Sequence, residues 1–162
     1  MHFKWRFFVI FIFVFFFFGF SSIEVKAQFA GGVGTSESPY QISNCTQLQN
    51  IGSSDSPGSF PYMDDYFILI NNIDCSETET WNQDIGGTYF GFDPIYHYNN
   101  EEPYEEYFFS GFLDGQNFTI DGLYINRTEE NDVALFGYIS GSTIINLNLT
   151  DVDFTGESYV GG

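Results

Sequence analysis

Phe118-Thr119-Ile120-Asp121-Gly122-Leu123-Tyr124-Ile125 carries a pattern of apolar residues from which the architecture follows. Phe118 and Ile120 alternate with polar neighbours, Asp121-Gly122 interrupts the alternation, and Leu123 and Ile125 restore it. Period two marks a half-buried strand. A slip that returns apolar side chains to the same face marks a corner, after which the strand path continues round one core. The same spacing recurs at Ile68, Ile70, Ile73 and Cys75, and again at Leu147, Leu149, Val152 and Phe154. The second and third copies lie 29 residues apart, a period in the range of solenoid repeats. The expectation is an all-β coil whose turns stack and bury their inward faces against neighbours above and below. An antiparallel β-sandwich competes with it, because Asp114-Gly115 can also close a hairpin.

Residues 1–27 have the layout of an export signal. Lys4 and Arg6 are followed by an apolar run from Phe7 to Phe20, and Val25-Lys26-Ala27 forms a small-residue cleavage site before Gln28. A helix over that run would be about 21 Å long, short of the ~30 Å bilayer core, so a signal peptide outweighs a retained anchor. Contact with a membrane is then confined to this segment, and to the case in which it is not cleaved. Without it, 21 acids face Arg127 alone, a net charge near −20. Such a surface disfavours nucleic acid and anionic membrane, both of which need clustered Lys and Arg.

Two cysteines, Cys45 and Cys75, occur in the chain. In an exported protein they pair most simply as a disulfide; in a reducing compartment they would be buried free thiols. Residues 28–65 read as an N-terminal cap: a strand at Pro39 to Ile42, a brief helix capped by Ser43 or Asn44 and carrying Leu48 and Ile51, then a Ser/Gly/Pro loop. Residues 66–162 read as the coils, broken by an irregular insertion at 77–106. A coil ending at Gly162 leaves its last edge open, which predicts either a truncated piece of a longer protein or an end covered by another chain.

Gly31-Gly32-Val33-Gly34-Thr35, Ser38-Pro39-Tyr40-Gln41-Ile42-Ser43 and Cys45-Thr46-Gln47-Leu48-Gln49-Asn50-Ile51 together resemble the N-terminal cap of extracellular proteins built from GLUG-motif repeats. Ile73-Asp74-Cys75-Ser76, Phe112-Leu113-Asp114-Gly115-Gln116-Asn117-Phe118-Thr119-Ile120-Asp121-Gly122-Leu123 and Leu135-Phe136-Gly137-Tyr138 follow the same family's order and spacing. Tyr159-Val160-Gly161-Gly162 resembles the start of a further GLUG box that lacks its Leu and following Gly. The resemblance implies a right-handed parallel β-helix on a secreted or cell-surface, adhesin-like protein, and it supplies no catalytic residues.

Catalytic chemistry has little to stand on. His97 is the one histidine after residue 27, so neither a two-His zinc site nor a Ser-His-Asp arrangement has support. Asp151 and Asp153, two apart on one expected strand, are the carboxylate pair a carbohydrate-active enzyme would need. Asp114, Asp151 and Asp153 are also weak ligand candidates for Ca²⁺, the one cofactor these residue types suit. Asn44, Asn117, Asn126 and Asn148 each open an Asn-x-Thr sequon beside an inward residue, and therefore point outward. Tyr89, Phe90, Phe92, Tyr96 and Tyr98, in the insertion, are the candidate ligand-contact aromatics, since exposed rings stack on sugars. The sequence thus reads as a non-catalytic stalk, spacer or adhesive surface outside the cell. Its expected partners are further repeats or neighbouring copies, and carbohydrate or another surface protein.

Overall fold

The computed structural model describes residues 28–54, 59–99 and 105–161. The expected signal segment lies outside the described residues. Among the described residues, helix is confined to α1 (Cys45–Gln49) and two 3₁₀ turns, Asn50–Gly52 and Ser76–Thr80. The strands are β1 (Tyr40–Ile42), β2 (Tyr66–Leu69), β3 (Ile73–Asp74), β4 (Tyr96–Asn99), β5 (Glu105–Phe108), β6 (Phe112–Asp114), β7 (Thr119–Asp121), β8 (Tyr124–Asn131), β9 (Thr143–Ile145), β10 (Asn148–Thr150) and β11 (Asp153–Ser158).

Three sheets are parallel, ordered β1-β2-β6-β9, β3-β7-β10 and β8-β11, while β4 and β5 form an antiparallel ribbon. The chain passes through the three parallel sheets in the same order twice, as β6, β7, β8 and then β9, β10, β11. β9, β10 and β11 pair in parallel with their counterparts β6, β7 and β8 one pass earlier, and these registers exclude the antiparallel sandwich. Neighbouring passes place chemically alike residues in columns. Phe67, Leu113 and Ile144 stand in one, Ile73, Ile120 and Leu149 in a second, and Ile125 and Phe154 in a third. Each column fills a stripe of one continuous core.

The register corrects the first of the three sequence patterns. Ile73 stands opposite Ile120, whereas the spacing had equated it with Leu123. The inward residues of β2 are Phe67 and Leu69, both fully buried, while Ile68 is half-buried and Ile70 is 39% exposed. Tyr66-Phe67-Ile68-Leu69-Ile70 is apolar at every position, so alternation alone gives either phase. The tie is broken by packing, because Phe67 meets the rings of Phe29 at 5.6 Å, Tyr40 at 5.7 Å and Phe109 at 6.2 Å.

The N-terminal end of the stack is closed. Asn44 caps α1, its side chain accepting from the Gln47 backbone N–H at 2.9 Å, and α1 buries Cys45 and Leu48. Cys45 and Cys75 are disulfide-bonded, which ties α1 to the end of β3. The described part of the 77–106 stretch, residues 77–99 and 105–106, is more ordered than its composition suggests. After the 3₁₀ turn it makes an antiparallel bridge at Gln83 and Tyr89, enters the core with Phe92 and Ile95, and leaves through the β4–β5 ribbon. Gly91 bridges Ile125, so this insertion occupies the place beside β8 that an earlier pass would have filled. Phe92 N–H donates to Tyr124 C=O at 2.8 Å, and Ile95 N–H to Leu135 C=O at 2.9 Å.

Close approach between passes explains the glycine of the Asp114-Gly115-Gln116-Asn117 corner. A Cβ on Gly115 would stand 2.5 Å from the Asn146 carbonyl oxygen of the next pass. No other residue fits between two backbones at that separation.

Candidate binding surface

Among the described residues, the outer side of the insertion and the end formed by β9, β10 and β11 combine exposure with a defined shape. The insertion is clamped at its base. Gln49 Nε2 donates to Asp93 C=O at 2.8 Å and its Oε1 accepts from Asp93 N–H at 2.7 Å, so one amide satisfies both backbone groups of Asp93. Thr78, a buried polar side chain, donates to Cys75 C=O at 2.6 Å and accepts from Tyr124 N–H at 2.9 Å. Gln49 and Thr78 went unnoticed in the sequence. Nothing local marks a side chain whose partner is 44 or 46 residues away.

Arg127 fastens the outer edge. Its guanidinium lies 2.8 Å from Asp93 and 3.0 Å from Glu130, sits 5.7 Å above the Phe90 ring, and belongs to a side chain only 12% exposed. The single Arg or Lys of residues 28–162 is therefore committed internally and is not offered to an acidic ligand.

The aromatic patch expected on the insertion is largely absorbed by packing. Phe92 is fully buried and stacks on Trp81 at 6.5 Å, which corrects its placement as a contact residue. Phe90 lies under Arg127, and Tyr96 is half-buried against Gly137. Tyr89 remains exposed beside the tip, where Asp84 accepts from Thr88 N–H at 2.7 Å. Tyr98 belongs to β4 and its side chain falls outside the described residues.

The carboxylates do not converge. Asp151 is not on a strand but at the corner between β10 and β11, with φ 47°, so the expected two-apart alignment with Asp153 on one strand is broken. Asp114 is used locally, accepting from Gln116 N–H at 2.8 Å and from Asn146 Nδ2 at 3.0 Å. Among the described residues no group of three or more His, Cys, Asp or Glu side chains is placed to hold a metal, so the Ca²⁺ candidates are scattered. Two other acids have perturbed environments. The Ser76 backbone N–H holds the Asp74 carboxyl below its usual range, and partial burial, reinforced by Asp64, pushes Asp65 up.

The sequons separate by environment. Asn44 and Asn117 are exposed, Asn126 is half-buried in β8, and Asn148 is exposed but turns its amide onto the neighbouring pass. At the far end of the stack, β9, β10 and β11 are each paired on one side only among the described residues. Ile144, Leu147, Leu149 and Phe154, which continue buried columns or corners, are half-buried there. Ile144, Leu147 and Leu149, with Ile145, Asn146 and Val152, line an open concavity of about 550 Å³. Apolar side chains and unpaired strand edges thus coincide on one face. Among the described residues no helix is long and apolar enough to cross a membrane.

Comparison with known proteins yields two relatives. The chain is 33% identical over 139 residues to Halomucin of Haloquadratum walsbyi, an alignment covering 85% of this chain and 1% of that protein. It is 35% identical over 123 residues to a Gly-rich membrane protein of Evansella cellulosilytica, covering 75% of this chain and 12% of the relative. The chain therefore spans a small fraction of the length of either. No protein-family model and no solved structure matches it.

Proposed function

We propose that this chain is a non-catalytic module of a cell-surface protein, the capped first segment of a right-handed parallel β-helix that serves as a stalk or spacer. The observation that carries the reading is the contrast between the two ends of the stack. One is sealed by α1 and the Cys45–Cys75 bond, and the other presents three strand edges around an apolar floor. A rod built this way grows in one direction. The open face fits a further turn of the same kind, from the same polypeptide or a neighbouring copy, because one such turn would pair with all three edges and cover Ile144, Leu149 and Phe154 together.

The names and great lengths of the two relatives support a surface location, and the GLUG-like cap and corner residues point to the same class of protein. The right-handed sense follows the general preference of parallel crossovers. Function is passive in this reading: the acidic exterior keeps the rod soluble, and the clamped insertion offers a rigid side face to a carbohydrate or protein partner. The test is to incubate the purified, signal-free chain with a polysaccharide panel, recording both retention and soluble products. Retention or inertness without product release agrees with the proposal. Product release that disappears in Asp151→Asn or Asp153→Asn refutes it.

A further inference from the structure

We propose that Asn117 and Asn44 are acceptors of N-linked glycans, and that Asn126 and Asn148 are not, although all four open an Asn-x-Thr motif. Glycan transfer requires an amide nitrogen that is reachable and free to change partners. The Nδ2 gives up one proton to a base of the transferase, and a bond forms from Nδ2 to the anomeric carbon of a lipid-linked oligosaccharide. The bond from that carbon to the lipid phosphate oxygen breaks, and the electron pair leaves with the phosphate. The motif nominates four nitrogens; the fold separates them.

Asn117 lies at the outermost point of a coil corner. Gln116 and Asn117 both have positive φ, 49° and 61°, and Phe118 N–H closes the turn on Gly115 C=O at 2.8 Å. Its backbone N–H is spent on Asn146 C=O at 2.9 Å, while its side chain is exposed and makes no hydrogen bond with the described residues. Asn44 is also exposed. Its Oδ1 accepts from Gln47 N–H, a role compatible with a sugar on Nδ2.

Asn148 is different. Its Nδ2 donates to Asn117 C=O at 3.2 Å and Phe118 C=O at 3.4 Å, and it stands directly opposite Thr119 of the Asn117 motif. A sugar on Asn148 would compete with these contacts and with a glycan on the corner beside it. Asn126 is half-buried where the insertion crosses β8. Its backbone N–H donates to Phe90 C=O at 2.9 Å, and the next residue is Arg127, whose half-buried side chain pairs with Asp93 of the insertion. A glycan there would displace the insertion.

The proposal rests on the chain being exported, not on its serving as a stalk, so product release in the polysaccharide assay would leave it intact. The experiment is to secrete the whole chain from yeast, release N-glycans enzymatically in ¹⁸O water, and map the labelled asparagines by mass spectrometry. A secreted glycoprotein is co-expressed as the occupancy control. Label at Asn117 and Asn44, with Asn126 and Asn148 unlabelled, is the expected result. Thr119→Ala should remove one glycan mass and Thr119→Ser retain it, with absence of free thiol reporting that the Cys45–Cys75 bond has formed. Asn117→Gln should match Thr119→Ala. An unlabelled Asn117 beside a fully occupied control, or labelling of Asn126 or Asn148 equal to that of Asn117, overturns the proposal.

Discussion

The stacking of passes makes a quantitative prediction from two residues in one column. Ile120 is fully buried between Ile73 on one side and Leu149 on the other, whereas Leu149 has a neighbour on one side only and is half-buried. Truncation to Ala removes three carbons from each. At about 0.8 kcal/mol per buried methylene, Ile120→Ala loses about 2.4 kcal/mol of transfer free energy. A closed cavity between two passes raises that to about 3–4 kcal/mol. Leu149→Ala loses roughly half the transfer contribution and leaves no closed cavity, a cost of about 1 kcal/mol. The difference, about 2 kcal/mol, corresponds to a separation of about 1 M in urea midpoint for a chain of this size. Trp81, half-buried and stacked on Phe92, is the only tryptophan after residue 27 and reports unfolding by its fluorescence. Equal costs at the two positions would refute the argument, because they would mean that both face the same environment. In a longer chain bearing a further turn, the Leu149→Ala cost should rise to the Ile120→Ala value.

Replacing Cys45 and Cys75 together by Ala reopens a loop with a sequence separation of 30 and should lower stability by about 3–4 kcal/mol, measured by denaturant titration against the oxidised chain. Gln49→Ala removes both bonds to Asp93 and should cost about 1–2 kcal/mol, accompanied by faster protease cleavage between residues 77 and 107. Gly115→Ala forces a Cβ against the next pass and should cost about 1–3 kcal/mol or more, read as a fall in thermal midpoint. Asp65 has a folded pKa raised above its unfolded value by burial, so its ionisation weakens the fold at neutral pH, and that cost disappears as pH falls through the folded pKa. Asp65→Asn should therefore stabilise the chain at pH 7, by less than about 1 kcal/mol, and flatten that part of the stability-pH profile.

Composition and spacing were informative wherever one phase of a strand was apolar and the other polar. The Phe118 to Ile125 pattern and its Leu147 to Phe154 counterpart fell into register as read, because polar residues at Thr119, Asp121, Asn148 and Thr150 leave a single choice of face. The Tyr66 to Ile70 segment failed the same test, since both of its faces are apolar and only contacts with Phe29, Tyr40 and Phe109 select one. Asp151 was misplaced for a related reason. The slip in hydrophobic spacing shows that a corner exists, but not which residues it removes from the strand.

Local periodicity and local hydrogen bonding suffice to write half-buried strands that turn corners around one apolar interior, and a short capped helix before them, into the amino-acid sequence. Parallel pairing of those strands, the entry of the insertion into the core through Phe92 and Ile95, the use of Arg127 in holding it, and the ending of the apolar columns together on one open face came from the tertiary structure. Each of those depends on partners dozens of residues apart, whose meeting is set by packing rather than by any neighbour in the chain.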